Sequence, residues 1–315
     1  MLRRPRSTRG SAVSDQIART SATVPALPST AVAVSRTPGY WSDVARRLRR
    51  DPGALICAAI LLLILIALLA APWLAPYNPY TGSALTRLKP IGTPGHPLGT
   101  DELGRDMLAR LLYGGRLSWF LGLVPVAVAF VLGSLLGIIA GYSGGRINML
   151  IMRATDIFYA FPSVLLAVAI SGALGGGIID AMLSMTIVFL PPIIRIAESV
   201  TAGVASLDYV EAARSTGAGP MLVARVHVLP NVLGPIFVYA TNLISMSMIL
   251  AAGLSFLGLG VQPPQAEWGL MLSSLRTAIY LQPLVTMLPG ICIFITSICF
   301  NLLSDDLRAA MDVKV

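Results

Sequence analysis

The sequence has 315 residues, 55% of them hydrophobic and 12% charged, with a mean hydropathy of +0.76, which excludes a soluble globular domain and points to a polytopic membrane protein. A net charge of +8 does not argue for nucleic acid, because ten of the 23 basic residues precede residue 51, where they read as positive charge held on the cytoplasmic side of a membrane.

Residues 1 to 40 are rich in Ser, Thr, Pro and Arg, contain one acid, Asp15, and show no apolar period. They are expected to form a disordered cytoplasmic tail, with an organellar transit peptide of similar composition as the alternative. In residues 41 to 53, the stretch WSDVARRLRR places Trp41, Val44 and Leu48 on one helical face and arginines on the other, as in a basic helix lying on anionic lipid. Residues 54 to 72 are apolar and long enough to span a bilayer. A cleaved signal peptide has an apolar core of about 7 to 15 residues behind a short basic region. About fifty residues precede this run, so an uncleaved first span is preferred.

Residues 73 to 116 are polar and rich in proline, and contain the run His96-Pro97-Leu98-Gly99-Thr100-Asp101-Glu102-Leu103-Gly104-Arg105-Asp106. With one His and no second ligand cluster, the run does not read as a metal site. Its five basic residues, Arg87, Lys89, Arg105, Arg110 and Arg116, weaken the charge rule for orienting this loop. The second span, Leu117 to Tyr142, carries Gly133, Gly137 and Gly141 at four-residue spacing, a seam suited to close helix packing within the subunit or against a partner.

The third span is expected at Ile147 to Gly172, kinked at Pro162, and the fourth at Asp180 to Ala197 with Pro191 and Pro192 inside it. Arg153 with Asp156, and Arg195 with Glu198, stand three apart and read as ion pairs at the membrane boundary. The fifth and sixth spans fall at Gly234 to Phe256 and Leu284 to Leu303. Cys57, Cys292 and Cys299 lie in apolar runs without metal spacing and read as small core residues.

Between the fourth and fifth spans, residues 203 to 233 are polar and helix-forming. Asp208 and Glu211 read as a capping box that opens a short helix, which Gly217, Gly219 and Pro220 end. Met221 to Val228 form a second short amphipathic run before Leu229-Pro230. No residue set here can do chemistry, so the protrusion is expected to touch another molecule.

No nucleotide cradle of the form GxxxxGK[ST] is present, since the only lysines are Lys89 and Lys314 and neither follows a glycine-rich loop. Neither a Ser-His-Asp set nor a pair of catalytic carboxylates is visible. Asp156, Asp180 and Glu198 fall at span ends and no inverted repeat is evident, which disfavours a proton-coupled carrier.

Glu211-Ala212-Ala213, Gly217 and Leu229-Pro230 resemble the cytoplasmic EAA loop of bacterial ABC importer permeases. The run from His96 to Asp106 resembles the HPLGTDxLGRD stretch of dipeptide and oligopeptide permeases, which lies on the outer side. Met152-Arg153, Asp156 and Ala160-Phe161-Pro162 match MRxxDxxxAFP, and residues 254 to 272 match LSFLGLGxxPPxxxWGxML. Asn301-Leu302-Leu303, Asp305 and Leu307-Arg308 resemble the family's NLxGDxLRDxLDP ending, from which Ser304, Ala309 and Val313 depart. Leu190, Ile194 and Ala251 depart from the pattern, where the family commonly has aromatic residues and a Glu, and this puts substrate preference in doubt.

The resemblance, most similar to the C-type permease of the dipeptide and oligopeptide group, runs from about residue 41 to the end. It implies an all-α type I ABC importer permease fold with six transmembrane helices, both termini cytoplasmic in the cell membrane, and a cytoplasmic coupling helix. Asp208, Tyr209, Glu211, Ala212, Ala213, Gly217, Ala218, Leu229 and Pro230 would couple to the ATPase. The implied function is ATP-driven import of di- or oligopeptides, or of a peptide-like solute such as haem, by alternating access. The implied partners are a homologous second permease, two ABC ATPases that use ATP and Mg, an extracytoplasmic substrate-binding protein and the lipid membrane, with no nucleic acid. This chain would bind no cofactor or metal and would not be an enzyme. The alternatives are a self-contained channel, a secondary transporter, or a permease for nickel or glutathione.

Overall fold

The computed structural model describes residues 40 to 311, so the expected disordered tail lies outside the described residues except at its last position. Among the described residues every regular element is helical. The first helix, α1 (Tyr40–Leu48), buries Val44 and exposes Arg46 and Arg47. Next, α2 (Pro52–Leu69) opens at Pro52 because Asp51 caps it, its side chain accepting from the Gly53 amide at 2.9 Å, and proline at the first helical position needs no donor. A short turn of helix, α3 (Ala71–Leu74), follows.

The second long helix, α4 (Met107–Ser143), starts well before Leu117. The cause is Asp106, whose Oδ2 accepts from the Ala109 amide at 2.8 Å and so sets the N-terminus next to the polar run. Arg110 and Arg116 therefore stand on helix.

The expected third span is two helices, α5 (Gly145–Tyr159) and α6 (Ser163–Leu174), bent by 86° at the break. Pro162 cannot donate a backbone hydrogen bond and disfavours helix at the residue before it, so the chain turns there. Then come α7 (Ile178–Ala205), α8 (Asp208–Ser215) and α9 (Pro220–Val223). A π turn over Ala224–Val228 leads directly into α10 (Leu229–Phe256). The chain finishes with α11 (Trp268–Ser274), a 3-10 segment over Leu275–Tyr280, and α12 (Pro283–Met311).

Five helices are long and apolar enough to cross a membrane, or six if the bent pair counts as one span. The contacts of the pair argue for the sixth crossing. Gly145 follows α4 after the single residue Gly144, at the end where the Tyr142 hydroxyl donates to the Pro220 carbonyl. Ser171 in the last turn of α6 and Gly177 just beyond it both donate to the Leu259 carbonyl past the far end of α10. The chain is thus a multi-pass membrane protein, and large side chains such as Leu63, Ile66 and Phe294 stay exposed on its helices as a lipid face requires.

Packing centres on α4 against α7. A Cβ placed on Gly133 would meet Ile193 at 2.8 Å, on Gly137 the Ala197 side chain at 2.5 Å, and on Gly141 the Glu198 carbonyl at 2.5 Å. The glycine seam therefore serves packing within the subunit. Around it Leu121, Met185, Ile193, Ile236 and Leu254 form one core. A second core gathers Trp119, Met248, Trp268, Cys57 and Cys299 between α2, α4, α10, α11 and α12.

Candidate functional site

The protrusion between α7 and α10 is built on three valines. Val210, Val223 and Val228 are fully buried in the first core, so the short helices are pinned while their outer faces stay free. The expected capping box does not form. Leu207 occupies the N-cap, and Asp208 and Glu211 lie within the first turn without a side-chain cap. Their negative charge still complements the helix N-terminus.

The end of α8 is a Schellman turn. Gly217 has φ +86°, its amide donates to the Arg214 carbonyl at 3.0 Å, and the Ala218 amide donates to the Ala213 carbonyl at 3.3 Å. Ala213 and Ala218 pack inward against the core, while Asp208, Tyr209, Glu211 and Ala212 are exposed. The Tyr209 hydroxyl lies 3.4 Å from the His227 carbonyl and accepts from Asn231 Nδ2 at 3.2 Å, which ties α8 to the start of α10 beside Leu229 and Pro230. Arg214 lies over the Tyr142 ring, 5.3 Å from its centroid.

The structure thus brings all nine residues expected at this loop to one protrusion. It also shows what the sequence did not single out. Leu207, Met221, Leu222 and Val226 are exposed apolar side chains around the same protrusion, at 46%, 80%, 56% and 52%. These apolar side chains stand exposed beside the polar face of α8, on a protrusion at one end of the bundle.

The boundary ion pairs are arranged differently from expectation. Arg153 is not paired with Asp156, nor Arg195 with Glu198. Instead Arg195 Nη2 reaches across from α7 to Asp156 Oδ1 at 2.6 Å, and Glu198 Oε1 accepts from Asn148 Nδ2 at 2.6 Å. A pair three apart on one helix contributes only about 0.2–0.5 kcal/mol, and the packing of α5 on α7 offers closer partners.

At the other end of the bundle, the run from His96 to Asp106 is a clasp. Asp101 is 2% exposed; it accepts from the Leu103 and Arg105 amides and pairs with Arg105 at 2.7 Å and Arg110 at 3.3 Å. Arg110 also donates to the Pro79 carbonyl at 3.1 Å, and His96 Nδ1 is hydrogen-bonded to Asp106 Oδ1 at 2.9 Å. Buried Glu267, unremarked in the sequence, caps α11 by accepting from the Gly269 and Leu270 amides and holds the Ser118 hydroxyl at 2.9 Å. Trp268 Nε1 donates to the Leu111 carbonyl at 2.9 Å, locking the outer segment onto α4.

Comparison with known proteins fits this architecture. Residues 133–315 match the family described as binding-protein-dependent transport system inner membrane component, and residues 39–90 match the N-terminal TM domain of oligopeptide transport permease C. The chain is 43% identical over 281 residues to the di/tripeptide transport system permease protein DppC of Pseudomonas aeruginosa (strain UCBPP-PA14), covering 88% of this chain and 91% of that protein. It is 38% identical over 294 residues to the glutathione transport system permease protein GsiD of Pectobacterium atrosepticum, covering 93% and 96%. A chain of the MetNI methionine ABC transporter in an inward-facing conformation has the same fold, with a TM-score of 0.53 at 20% identity over 65% of this chain and 97% of that one. The chain belongs to the family of binding-protein-dependent transport system inner membrane components, membrane permease subunits of ABC importers that leave ATP hydrolysis to separate ATPases.

Proposed function

We propose that this chain is the C-type permease subunit of an importer for di- and tripeptides. It would sit in the inner membrane with both termini in the cytoplasm, beside a homologous second permease, two ATPases and an extracytoplasmic binding protein. The observation that carries the reading is the exposed protrusion from Asp208 to Ala218, held by buried Val210 and closed by the Gly217 turn. Its helix presents Glu211 and the small Ala212 outward, so a partner groove can close around the backbone. Arg46, Arg47, Arg146, Arg214 and Arg225 lie at this end of the bundle, which fits a cytoplasmic placement. At the opposite end Arg105 and Arg110 share the one carboxylate of Asp101, and Arg116 is tied to the Leu68 carbonyl at 2.6 Å.

In this mechanism the partner ATPases use ATP and Mg. Closing on nucleotide, they push the protrusions of the two permeases together. Buried Val210, Val223 and Val228 transmit the push to α7 and α10, which rock as rigid bodies from inward-facing to outward-facing. Glu211, Ala212, Ala213 and Gly217 carry force by contact and perform no chemistry. The peptide reading is supported by the similarity to DppC, and glutathione, a tripeptide, is the second reading through GsiD.

The test is uptake of radiolabelled dialanine in a strain lacking this chain, with and without the gene restored. Uptake is expected to vanish and return, and triglycine or glutathione should compete according to which reading holds. Unchanged dialanine and glutathione uptake in the deleted strain would overturn the proposal.

A further inference from the structure

The break between α5 and α6 creates a cluster that the coupling protrusion does not use. Asp156, in the last turn of α5, accepts from Arg195 Nη2 at 2.6 Å, and the guanidinium lies over the Tyr159 ring, 4.5 Å from its centroid. Both charged side chains stay about half exposed, Arg195 at 51% and Asp156 at 47%. Arg195 stands between Ile194 and Ile196, about 26 Å along α7 from Ile178 and about 15 Å short of its end, at 1.5 Å of rise per residue.

A half-exposed ion pair on a spanning helix, near the inner edge of an apolar core about 30 Å thick, is costly against lipid tails and is favoured where it faces a bundle interior or a water-filled path. Beside it a cleft of about 220 Å³ opens under the bend, lined in part by Tyr159, Phe161, Pro192, Tyr239 and Leu243. Tyr159 belongs to both the cleft wall and the Arg195 stack, so pair and cleft are continuous. A tie between α5 and α7 does not require this pair, because Asn148 and Glu198 already join the same helices at 2.6 Å.

We infer that Asp156, Arg195 and Tyr159 form a solute-binding station on the path through the permease, built for small zwitterions that carry both a free carboxylate and a free ammonium. The inference rests on the peptide-importer reading and deepens it. The planar Arg195 fork can take a carboxylate through two parallel hydrogen bonds, and Asp156 can take an ammonium. When the station is empty the two side chains neutralise each other. When it is filled, solute carboxylate replaces Asp156 on Arg195 and solute ammonium replaces Arg195 on Asp156. No charge is left unpaired in either state, and the aromatic wall accepts varied side chains without reading their polar groups.

The experiment uses the complete nucleotide-free complex with its second permease and ATPases in lipid nanodiscs, without the binding protein, so that recognition by that protein does not enter. Binding of radiolabelled dialanine, N-acetyl-dialanine and dialanine amide is measured for wild type, Arg195→Gln and Asp156→Asn, each checked for assembly by subunit stoichiometry. Losing one charge-assisted contact is expected to weaken binding about tenfold. Arg195→Gln should weaken the two ligands with a free carboxylate and leave the amide bound at least as tightly, because its ammonium no longer competes with Arg195 for Asp156. Asp156→Asn should weaken the two with a free ammonium and leave the acetylated ligand bound at least as tightly.

Should Arg195→Gln fail to assemble, Arg195→Lys keeps the cation but loses the fork, and should weaken only the carboxylate ligands. Equal loss for all three ligands, no loss, no dialanine binding by wild type, or full recovery in the exchanged pair Asp156→Arg with Arg195→Asp would overturn the inference. Dialanine uptake by cells carrying the wild-type chain separates the two claims. If that uptake is normal while the station test fails, only this inference falls.

Discussion

Ala197 of α7 fills the space that a Gly137 side chain would need, since a Cβ on Gly137 would lie 2.5 Å from the Ala197 Cβ and 2.5 Å from the Ile194 carbonyl. The backbones of α4 and α7 meet there, and the contact sets the spacing of the pair around which the first core is assembled. Gly137→Val should therefore cost about 1–3 kcal/mol or more, because no neighbouring side chain end can move aside. Gly203, on the same α7, has open space where a Cβ would stand, with nothing within 4 Å, and Gly203→Ala should be neutral or stabilise slightly. Thermal melting of the purified complex compares them, and equal effects would refute the seam.

The turn at Gly217 makes a second prediction. A side chain at φ +86° costs about 1–2 kcal/mol. Proline would in addition remove the 3.0 Å hydrogen bond to the Arg214 carbonyl, a further loss of about 1 kcal/mol. Gly217→Pro, and Ala213→Asp, which puts a charge on an inward-packed position, should leave the chain in the membrane but weaken ATPase docking about tenfold or more. Normal co-purification and normal uptake in both variants would count against the coupling role.

Asp101 is the sole acid paired with Arg105 and Arg110 among the described ion pairs. Arg110 is 2% exposed, so Asp101→Asn leaves a buried guanidinium without its counter-charge. Removal of one partner from such a pair costs about 3–5 kcal/mol. The variant should show faster proteolysis near residues 76 to 106 and a lower melting temperature, whereas Glu102→Gln, whose acid meets only the exposed Thr277 hydroxyl, should match wild type.

Removing residues 1 to 39 should preserve uptake, because both family models match from residue 39 onward, although the match to GsiD, at 93% of this chain, reaches into the removed stretch. A transport assay on a chain that starts with Met followed by Tyr40 checks this, and lost uptake would assign those residues a role of their own.

Sequence alone determined the order of the apolar segments, the glycine seam and the Gly217 turn. These depend on local quantities: the length of an apolar run against bilayer thickness, four-residue spacing on a helix, and the backbone freedom of glycine. It also carried the motif residues that mark the family. Tertiary structure alone decided which charges meet. Arg153 and Asp156, like Arg195 and Glu198, have the spacing for a local pair, yet Asp156 is met by Arg195 and Glu198 by Asn148. Spacing along one helix says which partners are possible, whereas the packing of α5 on α7 says which is nearest. The same holds for Glu267 and Ser118, which are 149 residues apart in the chain and 2.9 Å apart in the fold.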